Sequence, residues 1–265
     1  MSLRVSPTPT EVGALTRIQS GLRVRPSAGM GTDVISFMKA QIATALLRNN
    51  ALQPCAMTDF DRLRAGYQRF RDQDWTRQRD RWAELREGQA PGVMVIACSD
   101  SRVDPAQIFD TSPGEMFVVR NVANLVPPFE PGGGRHGVSA ALEFAVTQLE
   151  VAEIVVMGHG SCGGVHAALT RRVEGAAPGA GGFIAHWIDL LDEARTRIVA
   201  ELGDGPAAVR ALELETVRVS IANLRTFPWV AQREAAGRLA LRGAYFAIAD
   251  GVLHVMDEHG QFVPA

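Results

Sequence analysis

Hydrophobic and polar positions divide the chain into regions of different character. Residues 1 to about 31 show no apolar period and are rich in Ser, Pro, Thr, Gly and Arg, which predicts a poorly ordered tail. Helical spacing first emerges behind a Thr32-Asp33 cap, at Val34, Ile35, Phe37, Met38, Ile42, Leu46 and Leu47, and Gln53-Pro54-Cys55 breaks it. Thr58 then caps a second predicted helix whose apolar stripe is Phe60, Leu63, Tyr67 and Phe70. A third, about 76–87, carries Trp82 and Leu85 and stops at Gly88.

From residue 92 the period alternates between strand and helix. Apolar runs predict strands at 92–98, 116–120 and 153–157, separated by a short helix after Pro105 and helices at 137–150 and 163–171. That alternation predicts an α/β fold with a central, mostly parallel β-sheet flanked by helices. Helices at about 184–202 and 207–225 follow, the second ending before Pro228. Leu239 to Ile248, the Asp250-Gly251 turn and Val252 to Met256 read as a strand, a tight turn and a partner strand. Gly132–Gly134 and Gly175–Gly182 are loops, and no internal repeat is present.

Composition narrows the function classes. A net charge of -2 gives no electrostatic reason to expect nucleic acid or an anionic membrane as partner. Three cysteines, an odd number, argue against a secreted disulfide scaffold and for a reducing cytoplasm. No apolar stretch approaches the roughly 20 residues that span a bilayer, and the N-terminus lacks the layout of a secretory signal.

The chemistry gathers at two strand ends. Val93-Met-Val-Ile-Ala97 runs into Cys98-Ser-Asp100-Ser-Arg102, and Ile154-Val-Val-Met157 opens into Gly158-His159-Gly-Ser-Cys162-Gly-Gly164. Sites of open α/β sheets form at the carboxyl ends of strands. Two thiols and one imidazole make a three-donor zinc set with a fourth position open, the pattern of catalytic rather than structural zinc. The glycines let the backbone turn sharply there and leave room for the open position. Asp100 and Arg102 read as a pair in which the guanidinium keeps the carboxylate ionised beside the metal. Asp100 then either orients a zinc-bound hydroxide or ligates zinc itself and closes the site. Cys55 has no partner and reads as an ordinary thiol.

Rival readings use fewer of these residues. Gly160-Ser-Cys162-Gly-Gly164 fits a nucleophile elbow with Cys162 as nucleophile and His254 or His259 with Asp250 as partners. That cysteine hydrolase leaves Cys98, Asp100, Arg102 and His159 unexplained. Cys98 and Arg102 are too close in sequence for a phosphatase loop. A zinc-binding protein without catalysis leaves the acid–base pair idle.

Cys98-x-Asp100-x-Arg102, His159-x-x-Cys162-Gly-Gly and, most specifically, Pro113-Gly-Glu-Met-Phe-Val-Val-Arg-Asn-Val-Ala-Asn-Leu-Val-Pro-Pro128 together resemble the β-class carbonic anhydrases, over about Met57 to Asp257. The resemblance implies one zinc per chain on Cys98, His159 and Cys162, with Asp100 and Arg102 as the catalytic dyad. It implies a substrate pocket with Gln89, Phe117 and Gly163, and a narrow apolar wall that includes Val122 and Leu125. The implied activity is reversible hydration of carbon dioxide to bicarbonate and a proton, with carbon disulfide or carbonyl sulfide hydrolysis as the related alternative. It also implies a homodimer or dimer of dimers whose N-terminal helices pack on a partner subunit. Domain limits follow as an extension, 1–56, dispensable for the chemistry, and a catalytic domain, 57–265. Phe144 stands where the family often has tyrosine, and Gly243-Ala-Tyr-Phe246 replaces a common Gly-Trp-x-Tyr. Val95 and Ala97 occupy positions that carry tryptophan and glycine in a bicarbonate-inhibited group, which points to the accessible, plant-type subtype.

Overall fold

The computed structural model describes residues 57–132 and 134–265, so Cys55 and the helix expected near 33–47 lie outside the described residues. Two compact units divide between Asp74 and Trp75. In the first, helix α1 (Asp59–Arg69) begins as its sequence predicts. The Thr58 hydroxyl accepts from the Asp61 amide at 3.1 Å, and the Asp61 carboxylate accepts from the Thr58 amide at 3.1 Å. This reciprocal cap satisfies two helix-start donors. The stripe predicted on α1 is exposed, with Phe60 69% and Leu63 70% accessible. A π-helical stretch, Phe70–Trp75, follows.

The second unit opens with α2 (Arg79–Leu85) and β1 (Val93–Cys98). Then come α3 (Pro105–Ile108), β2 (Met116–Asn121), α4 (Gly137–Glu143) and β3 (Glu153–His159). The rest is helical, α5 (Gly163–Thr170), α6 (Gly182–Ile188), α7 (Asp192–Leu202), α8 (Pro206–Leu224) and α9 (Pro228–Ala235), until β4 (Ala240–Ala247), β5 (Val252–Met256) and β6 (Phe262–Pro264). The sheet order is β2-β1-β3-β4-β5-β6, parallel from β2 to β4 and antiparallel beyond.

β1 and β3 carry nearly continuous apolar runs because both faces of a parallel sheet are covered. On one face Met94, Ile96, Ile154 and Val156 pack against Val217, Ile221 and Leu224 of α8. Val95, Ala97, Met157 and Ala244 form a cluster on the other. A further cluster joins Cys98 and Cys162 to Leu125, Val165, Leu169, Leu191 and Leu212. After β1 the chain adds β2 on one side and β3 on the other. The crevice at this switch lies beyond the carboxyl ends of β1 and β3, where Cys98 and His159 stand.

Several expected elements come out differently. The helix expected over 137–150 turns into a π-helical stretch at Phe144–Gln148, which buries Ala145 and Val146 while Phe144 stays exposed, its ring 5.8 Å from Phe117. The helix expected over 184–202 is two, joined by a 3-10 turn at Asp189–Leu191. α9 and β6 were not anticipated. α9 starts at Pro228, whose missing N–H costs nothing at a first helical position.

α8 fixes the end of β3 by close approach at Gly158, where an added Cβ would lie 2.8 Å from Val217 Cγ2 and 3.4 Å from the Glu213 carbonyl oxygen. Gly158→Ala is therefore expected to lose about 1–3 kcal/mol by overpacking. Adding Val217→Ala makes room, so the double variant should lose less than the two singles together in urea unfolding. Simple additivity would show that α8 does not set this end of the strand.

Candidate metal centre

Three donors converge at the switch crevice. Cys98 closes β1, His159 closes β3, and Cys162 is the residue before α5, with all three buried and their ligating atoms within 4.8 Å of one another. Cys98 Sγ and Cys162 Sγ lie 3.9 Å apart, far beyond the roughly 2.05 Å of a disulfide. Two sulfurs on a tetrahedral zinc, at about 2.3 Å each, stand about 3.8 Å apart. The His159 ring is 1% exposed and its Nδ1 lies 2.9 Å from the Gly160 carbonyl oxygen. A carbonyl only accepts, so Nδ1 carries the proton and Nε2 presents a bare lone pair. Nε2 is buried without a hydrogen-bond partner. An orphaned imidazole nitrogen facing two thiols at this spacing fits a soft divalent cation such as zinc, and the three residues could hold one.

The electrostatics follow from the same geometry. The hydrogen bond from Cys162 pulls the Cys98 thiol down against the effect of burial, helped by His159 and by the Asp100 and Ala123 amides. The same pairing, then burial, pushes Cys162 up, although the Gly164 and Val165 amides at the start of α5 work the other way. A metal takes both sulfurs as thiolates, so its binding displaces whatever thiol proton the pair carries. Burial opposes a charged His159, but the facing Cys98 sulfur, the Gly160 carbonyl and Asp100 raise it overall.

The turn after β1 is clamped by Arg120 of β2. Its Nε donates to the Cys98 carbonyl at 2.9 Å, Nη2 to the carbonyls of Asp100 at 2.6 Å and Val103 at 3.3 Å, and Nη1 to Asp104 at 3.1 Å. Asp104 in turn caps α3 through the Ala106 amide at 2.9 Å. Asp100 faces Arg102 in a two-pronged pair, Nε to Oδ1 at 2.9 Å and Nη2 to Oδ2 at 2.7 Å, and Oδ1 also accepts from the Arg102 amide at 3.0 Å. These bonds hold the Asp100 carboxyl well below the usual carboxylate range. Arg102 Nη2 also donates to the Ser161 carbonyl at 3.0 Å, tying the two donor-bearing turns together. Asp100 is not one of the clustered metal donors, so among the described residues the fourth position stays open.

Three of the six left-handed non-glycine residues among the described residues lie here. Ala123, Asn124 and Ser161 have φ of 63°, 49° and 56°, a region that side-chain-bearing residues rarely adopt. The 122–124 turn packs against Gly164, where an added Cβ would lie 2.7 Å from Val122 Cγ1.

The other predicted residues fall as follows. Gly163 opens α5 beside Cys162. Leu125 is fully buried behind the site, so it belongs to the core and not to a pocket wall, while Val122 is 39% exposed. Gln89 is exposed in the loop entering β1, at the opposite end of that strand from Cys98. Phe117 pairs with Met94, four strand positions before Cys98; at about 3.3 Å per residue, neither reaches the donors of its own chain. The elbow reading fails because the left-handed position belongs to Ser161, while Cys162 is extended, 2% exposed and turned toward Cys98. Sequence reasoning missed the roles of Arg120, Glu213 and Tyr245. A charged residue in an otherwise apolar strand was the available signal for Arg120.

A family model described as carbonic anhydrase matches residues 93–253. The chain is 34% identical over 208 residues to beta carbonic anhydrase 3 of Arabidopsis thaliana, covering 77% of this chain and 80% of that one. Among solved structures, the β-carbonic anhydrase CcaA superposes with a TM-score of 0.72 at 30% identity, over 78% of this chain and 92% of that chain. A tetrameric β-carbonic anhydrase from Sordaria macrospora superposes with a TM-score of 0.57 at 27% identity, over 84% and 99% respectively. With these matches added to its buried Cys-His-Cys donors, the chain belongs to the β class of the carbonic anhydrase family.

Proposed function

We propose that the chain catalyses the reversible hydration of carbon dioxide to bicarbonate and a proton, with one zinc held by Cys98, His159 and Cys162. The observation that carries this reading is the open, three-donor cluster with the Asp100–Arg102 pair beside it. Zinc, when bound, supplies a Lewis acid that brings the pKa of water to about 7 and so a nucleophile near neutral pH. The chain's own residues aim that chemistry. Asp100 stays ionised throughout the working range and can only accept a hydrogen bond, so it admits one orientation of the attacking hydroxyl. Arg102 fixes the carboxylate plane with its two prongs. The amides directed at the two sulfurs spread thiolate charge and offset the high electron donation of two cysteines. Because the folded Asp100 value lies below the ordinary 3.8, its contribution to stability is present above that pH and is lost as pH falls further.

The substrate side completes itself in an assembly. Gln89 and Phe117 stand at the wrong end of their strands for their own metal centre, which supports their lining the pocket of a second copy in a homodimer or dimer of dimers. The exposed stripe on α1 supplies apolar area suited to such packing. We place the protein in the cytoplasm, as an accessible, plant-type enzyme, with carbon dioxide preferred over carbon disulfide or carbonyl sulfide.

Three outcomes are expected. Cys98→Ala and His159→Ala should lose both metal and hydration activity, measured by elemental analysis and stopped-flow; full zinc occupancy in Cys98→Ala would remove the ligand assignment. Asp100→Asn should keep about one zinc per chain yet lose about 10²-fold in kcat, because an amide donates as well as accepts and no longer selects one orientation. Wild-type turnover in that variant would reduce the pair to a surface contact. Sedimentation at assay concentration should show a dimer or larger species, with Gln89→Ala raising KM at unchanged zinc content; a fully active monomer would contradict the shared pocket.

A further inference from the structure

Glu213 is the buried charged group that the chemistry above leaves unused. It sits on α8, is 3% exposed, and makes no ion pair among the described residues. A carboxylate in such surroundings is costly unless its oxygens find donors. Both do. Oε1 accepts from the Cys162 amide at 3.2 Å, and Oε2 accepts from the Tyr245 hydroxyl at 2.8 Å. Tyr245, on β4, is 2% exposed; burial and the Glu213 carboxylate hold its hydroxyl above the usual range, so it remains a donor. Its ring lies under the Arg210 guanidinium, 3.6 Å from the centroid. Arg210 faces a cavity of about 650 Å³ behind the metal-bearing turn, lined also by Ser161 and His166. Tyr245 and Glu213 line it as well, with the cation stacked on the tyrosine ring.

The peptide group joining Ser161 to Cys162 is thereby held at both ends. Its carbonyl accepts from Arg102 and its N–H donates to Glu213. A peptide is planar, so fixing both polar ends fixes its rotation. That plane fixes where the Cys162 Cα sits and the axis about which its Cβ turns, and so narrows the directions open to its sulfur. Ser161, immediately before it, is in the left-handed region with φ of 56° and would relax if released. Gly160 belongs to the same arrangement, since a Cβ there would lie 2.9 Å from the Tyr245 oxygen.

We infer that Glu213, supported by Tyr245, is a positioning residue that clamps the 161–162 peptide and so aims the Cys162 sulfur at the metal. The inference rests on zinc being held by Cys98, His159 and Cys162. Metal-ligand supports of this kind are worth about 10- to 100-fold in metal affinity.

The test measures zinc loss from the full-length protein to excess chromophoric chelator, alongside the sulfur-to-metal charge-transfer absorption of the cobalt-substituted protein. Glu213→Ala is expected to accelerate zinc loss about 10- to 100-fold and to shift the cobalt band. Glu213→Gln keeps an oxygen for the Cys162 amide and places its NH₂ against the Tyr245 oxygen, so it should stay within about threefold of wild type. Tyr245→Phe should lose about tenfold, and the Glu213→Ala/Tyr245→Phe pair should be no worse than Glu213→Ala alone, because tyrosine acts through the carboxylate. Should Glu213→Ala fail to fold, Tyr245→Phe carries the test with both readouts. Unchanged zinc loss and cobalt spectrum in Tyr245→Phe, or a folded Glu213→Gln as weak as Glu213→Ala, overturns the clamp while wild type still binds zinc. A wild-type protein that binds no zinc removes the parent reading and the clamp together.

Discussion

Two cysteine sulfurs 3.9 Å apart inside a core can both be thiolates, as a metal requires, only if charge of opposite sign or hydrogen-bond donors face them. The rest of the site answers that demand. Amides from Asp100 and Ala123 face one sulfur, and amides from Gly164 and Val165 face the other. Supplying the Ala123 amide requires the left-handed turn at Ala123 and Asn124. Room for that turn requires Gly164 to lack a side chain. Asn124 is itself bound into α8, its Nδ2 donating to Thr216 at 3.2 Å and its carbonyl accepting from Ser220 at 3.0 Å. The strain is local, and the restraint that maintains it comes from a helix about ninety positions later in the chain.

The sheet supplies the remaining restraint. Because β1, β2 and β3 are parallel and in register, their carboxyl ends arrive together, so Cys98 pairs with Asn121 and both turns open on the same edge. Arg120 exploits this alignment. Sitting next to that edge, it reaches across to three carbonyls of the adjoining turn and to the carboxylate that caps α3. A polar clamp of this density is favourable because every member is satisfied.

The parts of this arrangement visible in the sequence are those with a period or a fixed spacing. β1 and β3 are legible as apolar runs because both faces are buried, and the donors are legible because each stands at the end of such a run. The Asp100–Arg102 pair is legible because its members share one turn. α9 is hidden because Pro228 marks the stop of one helix and the start of the next with the same residue. β6 is three residues long, too short for any alternation to register. Glu213 and Tyr245 are hidden for another reason. They lie 51 and 83 positions beyond Cys162 on elements whose own patterns are complete without them, and tertiary packing alone brings them to the metal-bearing turn. The misplacement of Leu125 as pocket wall has the same origin, since an apolar residue beside a site reads identically whether it faces the substrate or the core.

Arg102 has one consequence for how the enzyme is made. By bonding Asp100 on its own turn and the Ser161 carbonyl on the other, it joins the two halves of the donor set through protein atoms alone. The cation therefore shares the task of holding the two turns together with a contact made by the chain itself. Whatever ordering entropy of the two turns this contact offsets leaves that much more of the binding free energy to retain the ion rather than to organise the polypeptide.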